Sequence, residues 1–76
     1  MTKLPILSAR EIIKALERAG FQFVSQKGSH IKMKKKEDCS TSVVIIPNHD
    51  EIATGTLKSI IRQSKLTPEE FISLFR

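Results

Sequence analysis

The first regular pattern of hydrophobic side chains lies between Ser8 and Gly20. Apolar residues recur there at intervals of three and four, which is the spacing of one face of an α-helix. Ser8 and Glu11 fit a capping box, in which each side chain accepts a hydrogen bond from the backbone N–H of the other residue. Gly20 suits the left-handed position that follows a helix C-terminus. The pattern therefore predicts a helix over about residues 9–19, with one apolar face.

Two β-rich segments follow this helix, and a turn sequence at residues 27–29 separates them. Residues 21–26 alternate in part between apolar and polar side chains, so the two segments together predict a β-hairpin. Phe21 and Phe23 share one face of the first strand, and we expect both in the core. In the second strand, side chains alternate between the two faces of the sheet. Ile31 and Met33 are predicted on its apolar face, and its polar face is predicted to carry His30, Lys32 and Lys34.

Residues 42–46 predict a third strand, which is apolar on both faces and ends at Pro47. A second helix is expected from about Thr54, where apolar residues again recur at helical spacing. Thr67 and Pro68 are typical of the N-cap and first position of a short third helix. The predicted fold is therefore α+β, an α-β-β-β-α layer with helices on one face of a three-stranded antiparallel sheet, followed by a short C-terminal helix. This layout resembles the double-stranded-RNA-binding fold.

Length and composition predict one domain. The chain has 76 residues, of which 39% are hydrophobic, enough for one modest core, so residues 1–76 are expected to form a single domain. The longest apolar run, 43–46, has four residues, whereas a membrane span needs about 20 and the apolar region of a signal peptide about 7 to 15. We expect no membrane association and no Sec-type export. Cys39 is the single cysteine, which favours the reducing cytoplasm over a disulfide framework.

The net charge of +5 belongs to one segment of the chain. The stretch 27–36 contains five lysines and no acid, whereas the rest of the chain holds eight basic and eight acidic residues. Such a basic patch indicates a polyanionic partner. An alternative interpretation is that the lysines protect a sheet edge against aggregation. No aromatic residue lies within the stretch, so the stacking platform expected of a single-strand binder is absent there.

Gly28, Ser29 and His30 are candidates for chemistry on a phosphodiester. A histidine exchanges protons near neutral pH, and RNA cleavage without a metal needs a base for the 2′-hydroxyl and an acid for the leaving 5′-oxygen. Gly28 lets backbone amides approach a phosphate, and the Ser29 hydroxyl is a potential hydrogen-bond donor. From spacing alone, an ordinary hairpin turn and a surface histidine are the commoner interpretation. The residues predicted to stabilise phosphate charge are Lys27, Lys32 and Lys34.

His49 is a second candidate for proton transfer if the fold brings it near His30. The alternative is a loop histidine without a chemical role. Two histidines at this separation, with no paired cysteine and no nearby carboxylate pattern, match no zinc arrangement. We therefore predict no metal ion and no small-molecule cofactor.

Four motifs occur along the chain in a characteristic order. Gly28-Ser29-His30 opens the second strand, and Pro47-Asn48-His49 closes the third. Gly55-Thr56-Leu57 opens the second helix, and residues 66–71 form a Leu-Thr-Pro-Glu-Glu-Phe tail. Over about residues 5–75, this ordered set resembles the HicA (YcfA-like) family of toxin ribonucleases.

The resemblance implies a double-stranded-RNA-binding-like fold, cleavage of mRNA that does not need the ribosome, and neutralisation by a HicB-type antitoxin. The essential histidine of the family lies in its Gly-Ser-His motif, which implies a catalytic role for His30. A role for His49 is an inference from its position only. Three functions stay open: a metal-independent endoribonuclease toxin, which leads, a non-catalytic RNA-binding module, and an interaction protein that docks an acidic partner. Only the first requires His30.

Overall fold

The computed structural model describes residues 4–75 of the chain. The elements are α1 (Ala9–Arg18), β1 (Gln22–Lys27), β2 (His30–Lys36), β3 (Thr41–Pro47), α2 (Thr54–Ser64) and α3 (Pro68–Ser73). The strands form one antiparallel sheet in the order β1-β2-β3. The predicted α+β layout is confirmed. The single-domain prediction also covers residues 1–3 and 76, which lie outside the described residues.

The predicted capping box is present at the start of α1, and a second one is present at the start of α3. The Ser8 hydroxyl accepts a hydrogen bond from the Glu11 N–H at 3.2 Å, and the Ser8 N–H donates to the Glu11 carboxylate at 3.0 Å. Thr67 and Glu70 form the same reciprocal pair, at 3.1 and 2.8 Å. Each box satisfies two backbone groups that a helix N-terminus leaves without a partner. The starts of these helices are therefore determined by residues three positions apart.

The C-terminus of α1 turns the chain into the sheet and buries Phe21. Gly20 has a φ of 102°, in the region that favours glycine. Its N–H donates to the Glu17 carbonyl at 3.0 Å, and the Phe21 N–H donates to the Leu16 carbonyl at 2.9 Å. These two bonds define a Schellman motif. Phe21 is only 2% exposed, which confirms its predicted place in the core.

The hydrophobic core lies between the helices and one face of the sheet. Buried and exposed side chains alternate along β2 and β3, as predicted for β2. Both α1 and α2 pack against this face over β3. Truncating one large buried side chain to alanine costs about 2–5 kcal/mol, a large part of the roughly 4–11 kcal/mol expected for a chain of this length. The largest fully buried side chains are Ile12, Leu16, Met33, Val44, Ile46, Leu57, Ile60 and Phe71.

Phe23 is not in the core, so its predicted burial is wrong. Its side chain is 56% exposed, and that of Val24 is 46% exposed. β1 is an edge strand, and the helices pack over β3 at the opposite side of the sheet. The β1–β2 register also shifts between Phe23 and Ser25, which is a β-bulge. This shift comes after the Phe23–Met33 pair, so Phe23 keeps the face that it shares with Phe21, and its exposure follows from the distance of β1 from the helices over β3.

The second face of the sheet, here called the open face, carries most of the basic stretch. Lys27 pairs with His30 across the hairpin, so both side chains belong to this face. Lys35 lies on the other side, where its Cε comes within 3.3 Å of the position that a Cβ on Gly20 would take. Its ammonium group lies 4.0 Å from the Glu37 carboxylate. The lysines that share the open face with His30 are therefore Lys27, Lys32, Lys34 and Lys36.

Candidate active site

A two-residue turn places His30 at the first position of β2. Gly28 occupies the first central position of this turn with a φ of 60°, as a type II′ turn requires. The Gln26 side-chain amide donates to the Gly28 carbonyl at 3.0 Å and braces the turn. Among the described residues, no atom other than those of its chain neighbours lies within 4 Å of a Cβ position on Gly28. A phosphate therefore has room to approach the backbone here.

The turn provides a stability test that depends on backbone conformation alone. Gly28→Ala is expected to destabilise the protein by about 1–2 kcal/mol, because a residue with a Cβ is strained at positive φ. Chemical denaturation measures this difference.

Gly55→Ala, in the first turn of α2, is the matched control. Apart from its chain neighbours and the backbone of its own helix, a Cβ there also meets no described atom within 4 Å, but Gly55 has no positive φ. Since alanine is a better helix former, this change should be neutral or stabilising by up to about 1 kcal/mol. Equal destabilisation by the two substitutions would contradict the conformational explanation.

Three backbone hydrogen bonds fix the segment that follows β3. The Asn48 N–H donates to the Ser29 carbonyl at 2.6 Å and so ties this segment to the hairpin turn. The His49 N–H donates to the Pro47 carbonyl at 2.9 Å, and the His49 carbonyl accepts from the Ala9 N–H at 2.9 Å. His49 is therefore held between the hairpin turn and the start of α1.

His30 and His49 line one groove of about 530 Å³, which we call the histidine groove. It lies between the start of β2, the end of β3 and one side of α2. Both histidine side chains are exposed, so a polymer in solution can reach the imidazoles. The sequence made a role for His49 conditional on its proximity to His30, and the two residues line the same groove.

The N-terminus of α2 opens onto the histidine groove through Ala53 and Thr56. Ala53 is the N-cap, no side chain caps the helix within the described residues, and its first turn contains no acid. The first N–H groups of a helix have no intrahelical partner and carry a partial positive charge. This end of the groove therefore favours an anion.

Glu51, Thr56 and Gln63 also line the groove, although the sequence did not single them out as site residues. The Gln63 amide oxygen accepts a hydrogen bond from the Ile45 N–H at 3.0 Å, and its amide nitrogen donates to the Ser59 hydroxyl at 3.1 Å. Gln63 thus covers part of the free edge of β3, which would otherwise be open to pairing with another chain. The signal in the sequence was the spacing of Ser59 and Gln63, four residues apart on one polar helix face.

The other predicted site residues lie beside the histidine groove and do not line it. Gly28 and Ser29 form the turn next to His30, and Lys27 lies across the hairpin from it. Lys32 pairs with Ile45, a groove residue, and Lys34 lies two positions farther along β2. The lysines therefore extend away from the groove along the open face. Among residues 4–75, no three His, Cys, Asp or Glu side chains are grouped as ligands of a metal ion would be.

The fold and the site define a small α+β protein whose sheet carries helices on one face and, on the other, lysines that lead to a groove with two histidines. The family model of the HicA toxin of bacterial toxin-antitoxin systems matches residues 9–66, a range that includes the whole sheet, α2 and both histidines. The chain therefore belongs to the HicA toxin family. No curated protein matches the chain. No helix in the described part of the chain is long and apolar enough to cross a membrane.

Proposed function

We propose that this protein is the toxin of a toxin-antitoxin system and acts as an endoribonuclease that cleaves mRNA without a metal ion or the ribosome. Membership of the HicA toxin family supports this proposal, since the family is generally one of ribonucleases. The observation that supports catalysis most directly is the presence of two exposed histidines in one groove beside a basic face. A non-catalytic RNA-binding module would use the same basic face but would have no need of the two imidazoles.

The proposed reaction moves one proton at each end of the scissile phosphodiester. One neutral histidine removes the proton of the 2′-hydroxyl, whose oxygen then attacks the adjacent phosphorus. The other histidine, protonated, donates to the 5′-oxygen as its bond to phosphorus breaks. The products are a 2′,3′-cyclic phosphate and a 5′-hydroxyl, and the two imidazoles have exchanged protonation states. We assign one of these roles to His30 and the other to His49.

The charge on the phosphate oxygens needs donors that are already in place before the reaction begins. The uncapped N-terminus of α2 provides backbone N–H groups at one end of the groove. At the other end, we propose that the turn residues Gly28 and Ser29 contact a phosphate next to His30. The rest of the RNA strand is then held by Lys27, Lys32 and Lys34.

Cleavage of a single-stranded mRNA fragment is expected to continue at an unchanged rate in excess EDTA. The two histidines and the groove donors provide every proton transfer and charge contact that the mechanism requires. Gel electrophoresis gives the rate, and mass spectrometry of the fragments should find 2′,3′-cyclic phosphate ends. Loss of activity that a divalent cation restores, or fragments with 3′-hydroxyl ends, would contradict this chemistry.

We further propose that a HicB-type antitoxin is the protein partner and that both proteins act in the cytoplasm. The open face carries four lysines, which favours a partner with acidic groups. A protein that covers the histidine groove would exclude RNA from it. Such binding would also stabilise a toxin whose core is as small as its length implies.

A further inference from the structure

His49 lines a second cavity as well as the histidine groove. This cavity, which we call the polar pocket, has a volume of about 270 Å³. It lies between the start of α1 and the loop that joins β3 to α2. Every residue of its lining has a polar side chain: Ser8, Arg10, Asn48, His49 and Asp50. The mechanism proposed above uses only His49 among them, so four polar residues beside a proposed catalytic histidine have no role in it.

Backbone hydrogen bonds tie the two walls of the polar pocket together. The Ala9 N–H donates to the His49 carbonyl at 2.9 Å, and the Ile52 N–H donates to the Leu7 carbonyl at 2.8 Å. Leu7 and Ile52 also form an antiparallel bridge, and both side chains are buried. The pocket residues lie next to these fixed points in the chain, so the walls are in place before a ligand binds. Such preorganisation is what a selective binding site requires.

Three other side chains of the polar pocket have unused hydrogen-bonding groups. The Ser8 hydroxyl is occupied in the capping box, where it accepts from the Glu11 N–H and donates to the Glu11 carboxylate at 3.1 Å. By contrast, Arg10, Asn48 and Asp50 are exposed, and their side chains make no hydrogen bond or ion pair within the described part of the chain. The pocket therefore offers a guanidinium, an amide and a carboxylate to a ligand.

The carboxylate of Asp50 favours a base over a phosphate as the occupant of the polar pocket. A phosphate would be attracted by the Arg10 guanidinium but repelled by a carboxylate in the same small cavity. A nucleobase carries no net charge and has donors and acceptors on its edges, so it can satisfy a guanidinium and a carboxylate together. Single-stranded RNA exposes these edges, because its bases are not paired. We therefore consider which base matches the two charged groups.

We propose that the polar pocket binds one guanine of the RNA substrate and so selects the bond that is cleaved. Guanine has two adjacent donors, N1–H and the 2-amino group, which match the two oxygens of the Asp50 carboxylate. It also has two adjacent acceptors, O6 and N7, which match the fork of the Arg10 guanidinium. No other standard base of RNA combines these two pairs. This inference rests on the proposed function, because the guanine belongs to the RNA that is cleaved in the histidine groove.

His49 places the bound base beside the scissile bond. It lines both the polar pocket and the histidine groove, and backbone hydrogen bonds fix its N–H and its carbonyl. A guanine in the pocket therefore belongs to a nucleotide next to the phosphodiester on which His49 acts. The preference for guanine is expected both in kcat/KM and in the position of the cut.

The test compares oligouridines of about ten nucleotides that carry a guanine, an inosine or an adenine at one central position. The wild type should cut next to the guanine, with a kcat/KM at least about tenfold higher than for adenine. Inosine lacks only the 2-amino group of guanine, so its kcat/KM should lie between the two. Fluorescence anisotropy with 2′-O-methyl RNA of the same sequences, which lacks the 2′-hydroxyl needed for cleavage, should give the same order of affinities.

Two variants with matched controls locate the preference in the polar pocket. Asp50→Asn and Arg10→Gln should each lower the guanine-to-adenine ratio of kcat/KM to about threefold or less. Lys14→Gln and Asp38→Asn make the same changes of charge outside the pocket, on α1 and in the loop after β2, at exposed positions. Both controls should keep the ratio of the wild type. Because the ratio compares two substrates of one protein, it does not depend on how much of each variant is folded.

The outcomes separate the guanine pocket from the proposed function. Equal kcat/KM for the guanine and adenine RNAs in the wild type would overturn the pocket and leave the proposed function intact. A ratio that the two pocket variants do not change would do the same. If these variants weaken only the complex with the antitoxin, the pocket is a protein interface and the guanine assignment is wrong. A wild-type protein that neither binds nor cleaves any of these RNAs or an mRNA fragment would overturn both.

Discussion

Replacement of His30 by alanine is expected to lower the rate of RNA cleavage by at least about a hundredfold and to leave thermal unfolding nearly unchanged. A general acid or base contributes about 10²- to 10⁴-fold to an enzymatic rate. His30 is exposed at the first position of β2, so its truncation removes no core contact. Initial rates on a labelled RNA and a thermal melt of each protein measure the two quantities.

His30→Asn is the matched variant for this experiment, because asparagine keeps a polar side chain of similar reach but transfers no proton at neutral pH. It should be as inactive as His30→Ala, and both should bind 2′-O-methyl RNA within a few-fold of wild type. Full cleavage by either variant would refute the enzyme proposal in favour of a non-catalytic RNA-binding module. A parallel loss of binding and cleavage would mean that His30 holds the RNA and does not transfer a proton.

The helix ends and the faces of β2 are predictable from the sequence because their causes are local. A capping box joins residues three positions apart, as at Ser8 and Thr67. Side-chain alternation in β2 requires only that the segment be a strand, and it places His30 with the even-numbered lysines. The α+β order follows from these local patterns, and the structure confirms it.

Two side chains near the sheet edge could not be placed from the local pattern. The exposure of Phe23 depends on the place of β1 at the sheet edge, at a distance from the helices over β3. Lys35 counts toward the basic stretch in the sequence, yet it lies on the opposite side of the sheet from its neighbours, near Glu37. Strand partners and packing, which the sequence does not state, decide both positions.

The histidine groove depends on contacts between distant parts of the chain. The Asn48–Ser29 and Ala9–His49 backbone hydrogen bonds bring the loop after β3 to the hairpin turn. The identities of the side chains do not indicate which backbone groups bond to each other. The sequence could therefore state the proximity of His49 to His30 only as a condition. Gln63 was missed because its hydrogen bond joins α2 to β3 between residues that are 18 positions apart in the sequence.

Substitution of lysines in β2 is expected to reduce the salt dependence of RNA binding strongly. Each lysine that neutralises a phosphate of single-stranded RNA contributes about 0.7 to the slope of log K against log salt concentration. The double substitution Lys32→Gln and Lys34→Gln should therefore lower the magnitude of that slope by about 1.4 and weaken binding at low salt on the order of tenfold. Anisotropy titrations with 2′-O-methyl RNA over a range of salt concentrations measure the slope.

Lys34→Gln and Lys35→Gln form a matched pair that separates position from net charge. The two lysines are adjacent, and each substitution lowers the formal net charge by one, but only Lys34 lies on the open face. Long-range attraction to the whole protein would be reduced equally in both variants, since it depends on total charge. A phosphate contact exists only where the ammonium group reaches the RNA, so Lys34→Gln should lower the slope by about 0.7 and Lys35→Gln by much less. Equal slopes for the two variants would mean that the RNA does not follow the open face.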